Sequence, residues 1–374
     1  MNPISMPEPS HAGNRRKGTR RLSGSIERIV VFRALMLGDL LCAVPALRAL
    51  RGGFPRAQIT LVGLPWARTL VQRLPRYVDR FIEFPGWPGL PEAPCEVRTL
   101  PDFIAQVQAQ RFDLALQLHG SGGIANPLVA TFGARHSAGF CSREAWRPQS
   151  DAALYVRWPE SGHEIERLLR LTDALGLARR GQQLEFPVQE EDRAALRAIW
   201  PGVDDEARPY VCVHAGAQLA SRRWPLERFA AVADALAESG RRVVLTGGAP
   251  EAELVNALAA CMNHDAVNLA GRTSLWTLGA LIEGAERVVC NDTGISHIAA
   301  ALGRPSVVVS CGADVARWAP LDTERHRVLW QPMACRPCAH AECPFEHDCA
   351  RAIRVPQVLH ALGLPAARPL ALSG

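Results

Sequence analysis

Short apolar runs bounded by polar or glycine-containing turns alternate along this chain with longer stretches whose apolar residues recur at helical spacing. Ile29–Phe32 reads as a strand, and Gly38–Arg51 repeats apolar positions as a helix does. Gln58–Val62, Arg80–Phe84 and Asp113–Leu118 read as the next strands. The cycle restarts in the second half with Tyr210–His214 (strand), Pro225–Ser239 (helix), Arg242–Thr246 (strand) and Glu251–Met262 (helix). Ala266–Leu269, Ser274–Glu283, Arg287–Cys290, Gly294–Leu302 and Pro305–Val309 continue it, and Val355–Leu362 reads as a last short helix. Continuous Val/Ile/Leu strands separated by helices predict parallel sheets covered on both faces. Two such series predict an α/β chain of two doubly wound domains. In such sheets ligands sit beyond the carboxyl ends of the strands, and with two domains facing each other the site falls in the cleft between them.

The pattern breaks near residues 187–208, where Pro187, Pro201, Gly202 and Pro209 interrupt it. The expected organisation is a basic tail over residues 1–25, an N-terminal domain over 26–186, a linker over 187–208, a C-terminal domain over 209–352 with a cysteine-rich loop at 335–349, and a final helix and tail over 353–374. The 374 residues suit two domains, and a 48% hydrophobic, 21% charged composition is that of a globular protein. Net charge is +5, but Arg15, Arg16, Lys17, Arg20 and Arg21 face only Glu8 in the tail, which leaves the folded part near neutral. That argues against a nucleic-acid partner. No stretch reads as a transmembrane span: Ala34–Leu50 is short and carries Asp39, Pro45 and Arg48. Nothing in residues 1–25 resembles a secretory signal, and most of the eleven cysteines sit singly in apolar runs, which points to a reducing cytoplasm.

The chemistry gathers after the strands. Asp39 follows Gly38 in the first turn of a helix. Capping that helix is the simpler account on spacing alone; a carboxylate held in the cleft to take a proton from a hydroxyl is the functional one. His214, Gly216 and then Arg222 and Arg223 lie between a strand and a helix. They read either as a phosphate or diphosphate site or as a solvated arginine pair before Trp224-Pro225. Asp292, Thr293, Gly294, Ser296 and His297 form a polar cluster at a helix start, suited to anions and hydroxyls. His119 and Ser121 follow another strand and read as a turn or as the acceptor side of the cleft. Neither a dinucleotide fingerprint nor a Walker A sequence occurs.

Taken together, Leu37-Gly38-Asp39 followed by Val44-Pro45-Ala46-Leu47, the run Ser221–Ala230, and Asn291–His297 resemble glycosyltransferase family 9, the lipopolysaccharide heptosyltransferases. The resemblance runs from about Arg28 to Ile353. It implies a GT-B fold with an N-terminal acceptor domain, a C-terminal donor domain and a final helix returning towards the first domain. It implies inverting, metal-independent transfer of a sugar from a nucleotide-activated donor such as ADP-heptose to a lipid-linked saccharide at the inner face of the cytoplasmic membrane, with no required cofactor. It implies that Asp39 is the base, that Arg222 serves the donor phosphates where relatives often have Lys, and that Asp292, Thr293, Gly294 and His297 form the donor turn. Glu251 or Glu253 would meet the donor ribose. The Leu116–Gly120 segment departs from the family's commoner Asp-Leu-Gln-Gly. A nucleotide-sugar 2-epimerase and a non-catalytic sugar-nucleotide binder are the alternatives.

One motif stands apart. Cys335-x2-Cys338-x4-Cys343-x5-Cys349 has the opening spacing of a metal knuckle, so it is a candidate structural zinc site. Free or redox-active thiols in a rigid loop are the favoured reading.

Overall fold

The computed structural model describes residues 24–365. Most of the tail expected over residues 1–25, and residues 366–374, lie outside the described residues. Twelve strands form two six-stranded sheets, each parallel throughout. The first contains β1 (Arg28–Phe32), β2 (Gln58–Gly63), β3 (Arg80–Glu83), β4 (Leu114–Gln117), β5 (His136–Cys141) and β6 (Tyr155–Arg157) in the order β3-β2-β1-β4-β5-β6. The second contains β7 (Tyr210–His214), β8 (Arg242–Leu245), β9 (Val267–Asn268), β10 (Arg287–Asn291), β11 (Ser306–Val309) and β12 (His326–Leu329) in the order β12-β11-β10-β7-β8-β9. Each order reverses once, between β1 and β4 and between β7 and β10. Those two switch points are where a doubly wound sheet opens a crevice for a ligand.

The central strands are apolar on both faces because helices cover both. Ile29, Val30, Val31 and Phe32 of β1 are all buried, as are Val211, Cys212 and Val213 of β7. The strands β5, β6 and β12 were not legible as strands. Each lies at or next to a sheet edge and carries polar residues or glycine in place of an aliphatic run.

Two expectations are corrected. Residues 187–208 are not a plain linker: they hold a helix, Glu190–Ile199, packed against the Leu275–Gly284 helix. Asp192 accepts a fork of bonds from Arg73 of the first domain (2.8 and 3.0 Å), and Arg193 pairs with Glu283 of the second (2.7 and 2.9 Å). The segment therefore ties the domains together. The final helix, Val355–Ala361, does not return to the first domain. Val358 and Leu359 sit in the core of the second, with Val232 and Phe229 of the Leu226–Glu238 helix, and the Trp224 indole N–H donates to the Ile353 carbonyl at 2.9 Å.

The domains meet most closely where the Leu37–Gly53 helix lies on the Gly294–Ala301 helix. Gly38 is required there: a Cβ on it would stand 2.6 Å from the His297 ring. On its other side the Leu37–Gly53 helix packs on the Glu164–Ala174 helix, whose Ile165 and Leu169 share a small core with Cys42, Ala49 and Trp318.

Candidate active site

A cleft of about 620 Å³ opens between the two switch points. The first domain contributes Met36, Leu37, Gly38 and Asp39. The second contributes His214, Ala217, Arg222, Gly248, Glu251, Asp292, Thr293, Gly294, His297 and Arg317, among others. Most of the predicted site residues are thus brought together, from segments far apart in sequence.

Asp39 sits in the first turn of its helix at the mouth of the first sheet. Arg33, the residue after β1, holds it by two means: its Nε–H donates to the Asp39 carbonyl at 2.8 Å, and its Nη2 stands 3.8 Å from the carboxylate. Burial nevertheless pushes the Asp39 carboxyl above the usual carboxylate range, helped by the Glu164 charge and opposed by Arg33 and Arg317. A carboxylate of raised proton affinity next to a sugar-sized cleft has the character of a general base.

Across the cleft, β7 ends at His214, whose Nδ1 lies 3.1 Å from the Thr246 hydroxyl and whose Nε2 lies 4.0 Å from Glu251. Burial pushes the His214 imidazole down. A Cβ on Gly216 would stand 1.9 Å from the Glu251 carboxylate, which would have to swing away from its present place. Glu251 also accepts the Gly248 N–H at 2.8 Å. Glu251 lines the cleft, whereas Glu253 is exposed and does not.

Arg222 and Thr293, both on the cleft wall, carry unmet polar atoms. The Arg222 Nε and the Thr293 hydroxyl are buried with no hydrogen-bond partner. Such groups are costly to leave unmet, and an anion in the cleft would meet them. Asp292 lies beside them; burial raises its carboxyl, while the Ser310 hydroxyl (3.1 Å), Arg222 and Arg336 lower it. Asn291 fixes the backbone below: its amide donates to the Ala215 carbonyl at 2.8 Å and its oxygen accepts the Trp224 N–H at 3.0 Å.

Arg223 does not join Arg222 as expected. Its guanidinium forks onto the Ala217 carbonyl (3.0 and 3.1 Å) and does not line the cleft, so it braces the loop that carries Gly216. His297 lines the cleft, but its ring packs on Gly38, and its Nδ1 lies 3.8 Å from the Cys42 thiol. Its position fits a spacer between the domains better than a phosphate ligand. His119 also stands apart from the donor side: its Nδ1 accepts the Ala34 N–H at 3.3 Å, its Nε2 meets Glu92 at 3.2 Å, and its ring stacks on Phe32. The Ser121 carbonyl accepts from the Ser142 N–H at 2.9 Å. Arg33, Glu92, Glu164 and Arg317 were not foreseen. Only Arg33 had a local signal, a charge placed directly after an apolar strand.

The four loop cysteines form no disulfide. Among the described residues no group of three or more His, Cys, Asp or Glu is placed to hold a metal ion, so as arranged they do not fit a zinc site. The loop does something else. It cradles the Ser221–Arg222 turn: the Cys338 carbonyl accepts from Arg222 at 3.2 Å, the His340 and Ala341 carbonyls accept from Ser221 at 2.6 and 3.0 Å, and His347 donates to the Ser221 carbonyl at 2.7 Å.

Burial pushes both His119 and His297 down to about 4, with Arg33 adding to the effect at His119 and His163 at His297. Above the ordinary imidazole range their neutral burial costs nothing. As pH falls from about 6.5 towards about 4 the unfolded chain takes up protons that the folded one refuses, so stability is lost across that window. The raised carboxyls of Asp39 and Asp292 act in the opposite sense. The urea midpoint should therefore fall from pH 7 to pH 5, and fall less in a His119→Gln, His297→Gln double variant. Equal falls in the two proteins would contradict neutral burial.

Two facing parallel sheets with a polar cleft between their switch points make this a GT-B-like architecture, the fold of a large class of glycosyltransferases. The model of glycosyltransferase family 9 (heptosyltransferase) matches residues 102–348, and the chain belongs to that family. It is 28% identical over 310 residues to lipopolysaccharide heptosyltransferase 2 of Escherichia coli K12, covering 75% of this chain and 82% of that one. It is 22% identical to lipooligosaccharide heptosyltransferase 2 of Campylobacter jejuni, over 89% of this chain and 96% of that one. Among solved structures, a family 9 glycosyltransferase from Veillonella parvula superposes with a TM-score of 0.76 at 20% identity, covering 92% of this chain and 98% of that one. E. coli ADP-heptose lps heptosyltransferase II superposes with a TM-score of 0.70 at 24% identity, over 90% and 98%. This chain is a glycosyltransferase. Among the described residues no helix is long and apolar enough to cross a membrane.

Proposed function

We propose that this glycosyltransferase moves a heptose from ADP-heptose to a lipopolysaccharide-type saccharide acceptor at the cytoplasmic face of the membrane, with inversion and without a metal ion. The observation that carries the reading is the placing of a half-buried Asp39 carboxylate on one wall of the cleft opposite the unmet Arg222 Nε and Thr293 hydroxyl on the other. The names of the similar proteins supply the sugar and the acceptor class.

In this reading the diphosphate lies against Arg222 and the first turn of the Gly294–Ala301 helix, with the ribose near Glu251. Asp39 takes the proton of the acceptor hydroxyl as that oxygen attacks the anomeric carbon. The bond to the diphosphate breaks on the opposite side, so the centre inverts, as in the single displacement of inverting glycosidases. Negative charge that grows on the departing diphosphate falls to Arg222 and the helix amides, fixed in place before the reaction. The acceptor enters from the first domain, past His119 and Glu92.

Because fixed cations serve the leaving group, excess chelator should leave the rate unchanged. Strict dependence on added magnesium would overturn the metal-independent part of this reading. Calorimetry should also show ADP-heptose binding without acceptor, whereas an absence of binding would remove it as the donor.

A further inference from the structure

Glu164 is a buried carboxylate close to Asp39 that this mechanism leaves unused. It opens the Glu164–Ala174 helix, and its side chain is only 2% exposed. Three guanidiniums surround it: Arg33 Nη2 at 3.1 Å, Arg317 Nε at 2.9 Å and Arg167 Nη1 at 3.8 Å. Arg33 belongs to the first domain and Arg317 to the second, where it lines the cleft. Arg33 is nearer to Glu164 than to the Asp39 carboxylate, which it approaches only to 3.8 Å. Its other two nitrogens each donate to a carbonyl, that of Asp39 and that of Leu118.

This arrangement matters because a buried guanidinium seeks an anion. Without Glu164, the anion within reach of Arg33 and Arg317 is Asp39. A carboxylate in a tight ion pair is a poor base. We infer that Glu164 is a positioning residue for the transfer reaction: it holds Arg33 of its own domain and Arg317 of the opposite one on itself, so that the Asp39 carboxylate is left out of a tight ion pair with either guanidinium. The inference rests on the reading of Asp39 as the base.

The charges that face Asp39 act in the directions this inference needs. Glu164 raises its carboxyl, while Arg33 and Arg317 lower it. Glu92 lies within electrostatic reach from the loop after β3. Cys42 and His297, also nearby, are uncharged at neutral pH: burial pushes the Cys42 thiol up and the His297 ring down to about 4. Glu164 itself stays ionised, since Arg33 and Arg317 outweigh its burial.

The test is a carboxyl titration of Asp39 by carbon-13 NMR in the full-length protein, its resonance assigned by loss in Asp39→Asn, beside the pH profile of kcat/KM. Glu164→Gln should move the Asp39 titration to lower pH, move the acid limb of the rate with it, and lower the plateau roughly 10-fold or more. Arg317→Gln should move the titration the other way, and Glu164→Asp, which keeps the charge, should restore most of the wild-type profile. A purely structural Glu164 would lower the rate and leave the titration in place, and that result overturns the inference. So does a shift of the same sign in Glu164→Gln and Arg317→Gln. Should Glu164→Gln not fold, the sign of the shift in Arg317→Gln and the recovery in Glu164→Asp decide the matter. If the titrations move as expected and the rate limb does not follow, it is the base reading of Asp39 that fails.

Discussion

Replacing Asp39 by Asn should reduce turnover by roughly 10² or more while leaving donor affinity unchanged. The amide occupies the same space, and the Arg33 bond to the residue-39 carbonyl does not depend on the side chain. What is lost is the ability to accept a proton. The wild-type rate should fall on the acid side at a pH above the ordinary carboxylate range, because burial raises the Asp39 carboxyl and only its ionised form is a base. The residual rate of the variant should lack that limb. Near-wild-type turnover, or an unchanged limb in the variant, would remove Asp39 as the base. Calorimetry with ADP on the same preparation separates this from loss of the donor site.

Arg222→Ala should weaken ADP binding by roughly 10- to 100-fold, since a hydrogen bond to a charged group contributes about 1.5–3 kcal/mol. The fold should survive. The turn that carries Arg222 is held from the outside by the Ser221 bonds to His340 and Ala341, which the substitution does not touch. The loss should appear in calorimetry with the nucleotide alone, and Arg223→Ala should show a smaller effect, because Arg223 braces the Ala217 carbonyl and does not reach into the cleft. Unchanged ADP affinity in Arg222→Ala would move the diphosphate away from this wall.

The sequence made the central strands and the strand-end motifs legible for one physical reason. Strands buried on both faces read as uninterrupted aliphatic runs, and residues that follow such runs must lie at the rim of the sheet. Asp39, His214, Arg222 and Asp292 were all found that way. The edge strands β6 and β12, and β5 next to an edge, lacked that signature. So did the Glu190–Ile199 helix, which is flanked by the prolines that made its neighbourhood look like a linker. Spacing places Arg223 and His297 at a rim and does not say where their side chains turn. Arg223 turns onto a carbonyl and His297 onto Gly38. Glu164 and Arg317 were beyond reach for another reason. Their chemistry exists only between domains, and they are separated by 153 positions in the chain. The cysteine spacing drew attention to the right loop. Its contribution comes from backbone carbonyls, which no side-chain motif reports.

The most direct test of the whole account is acceptor-dependent release of ADP from ADP-heptose, followed by mass spectrometry of a heptose-deficient lipopolysaccharide core acceptor. The account predicts that ADP appears only when the acceptor is present, that the acceptor gains one heptose for each ADP released, and that both stop in Asp39→Asn. ADP release at the same rate without acceptor, or an acceptor left unmodified with ADP-heptose but extended with another nucleotide sugar, would contradict it.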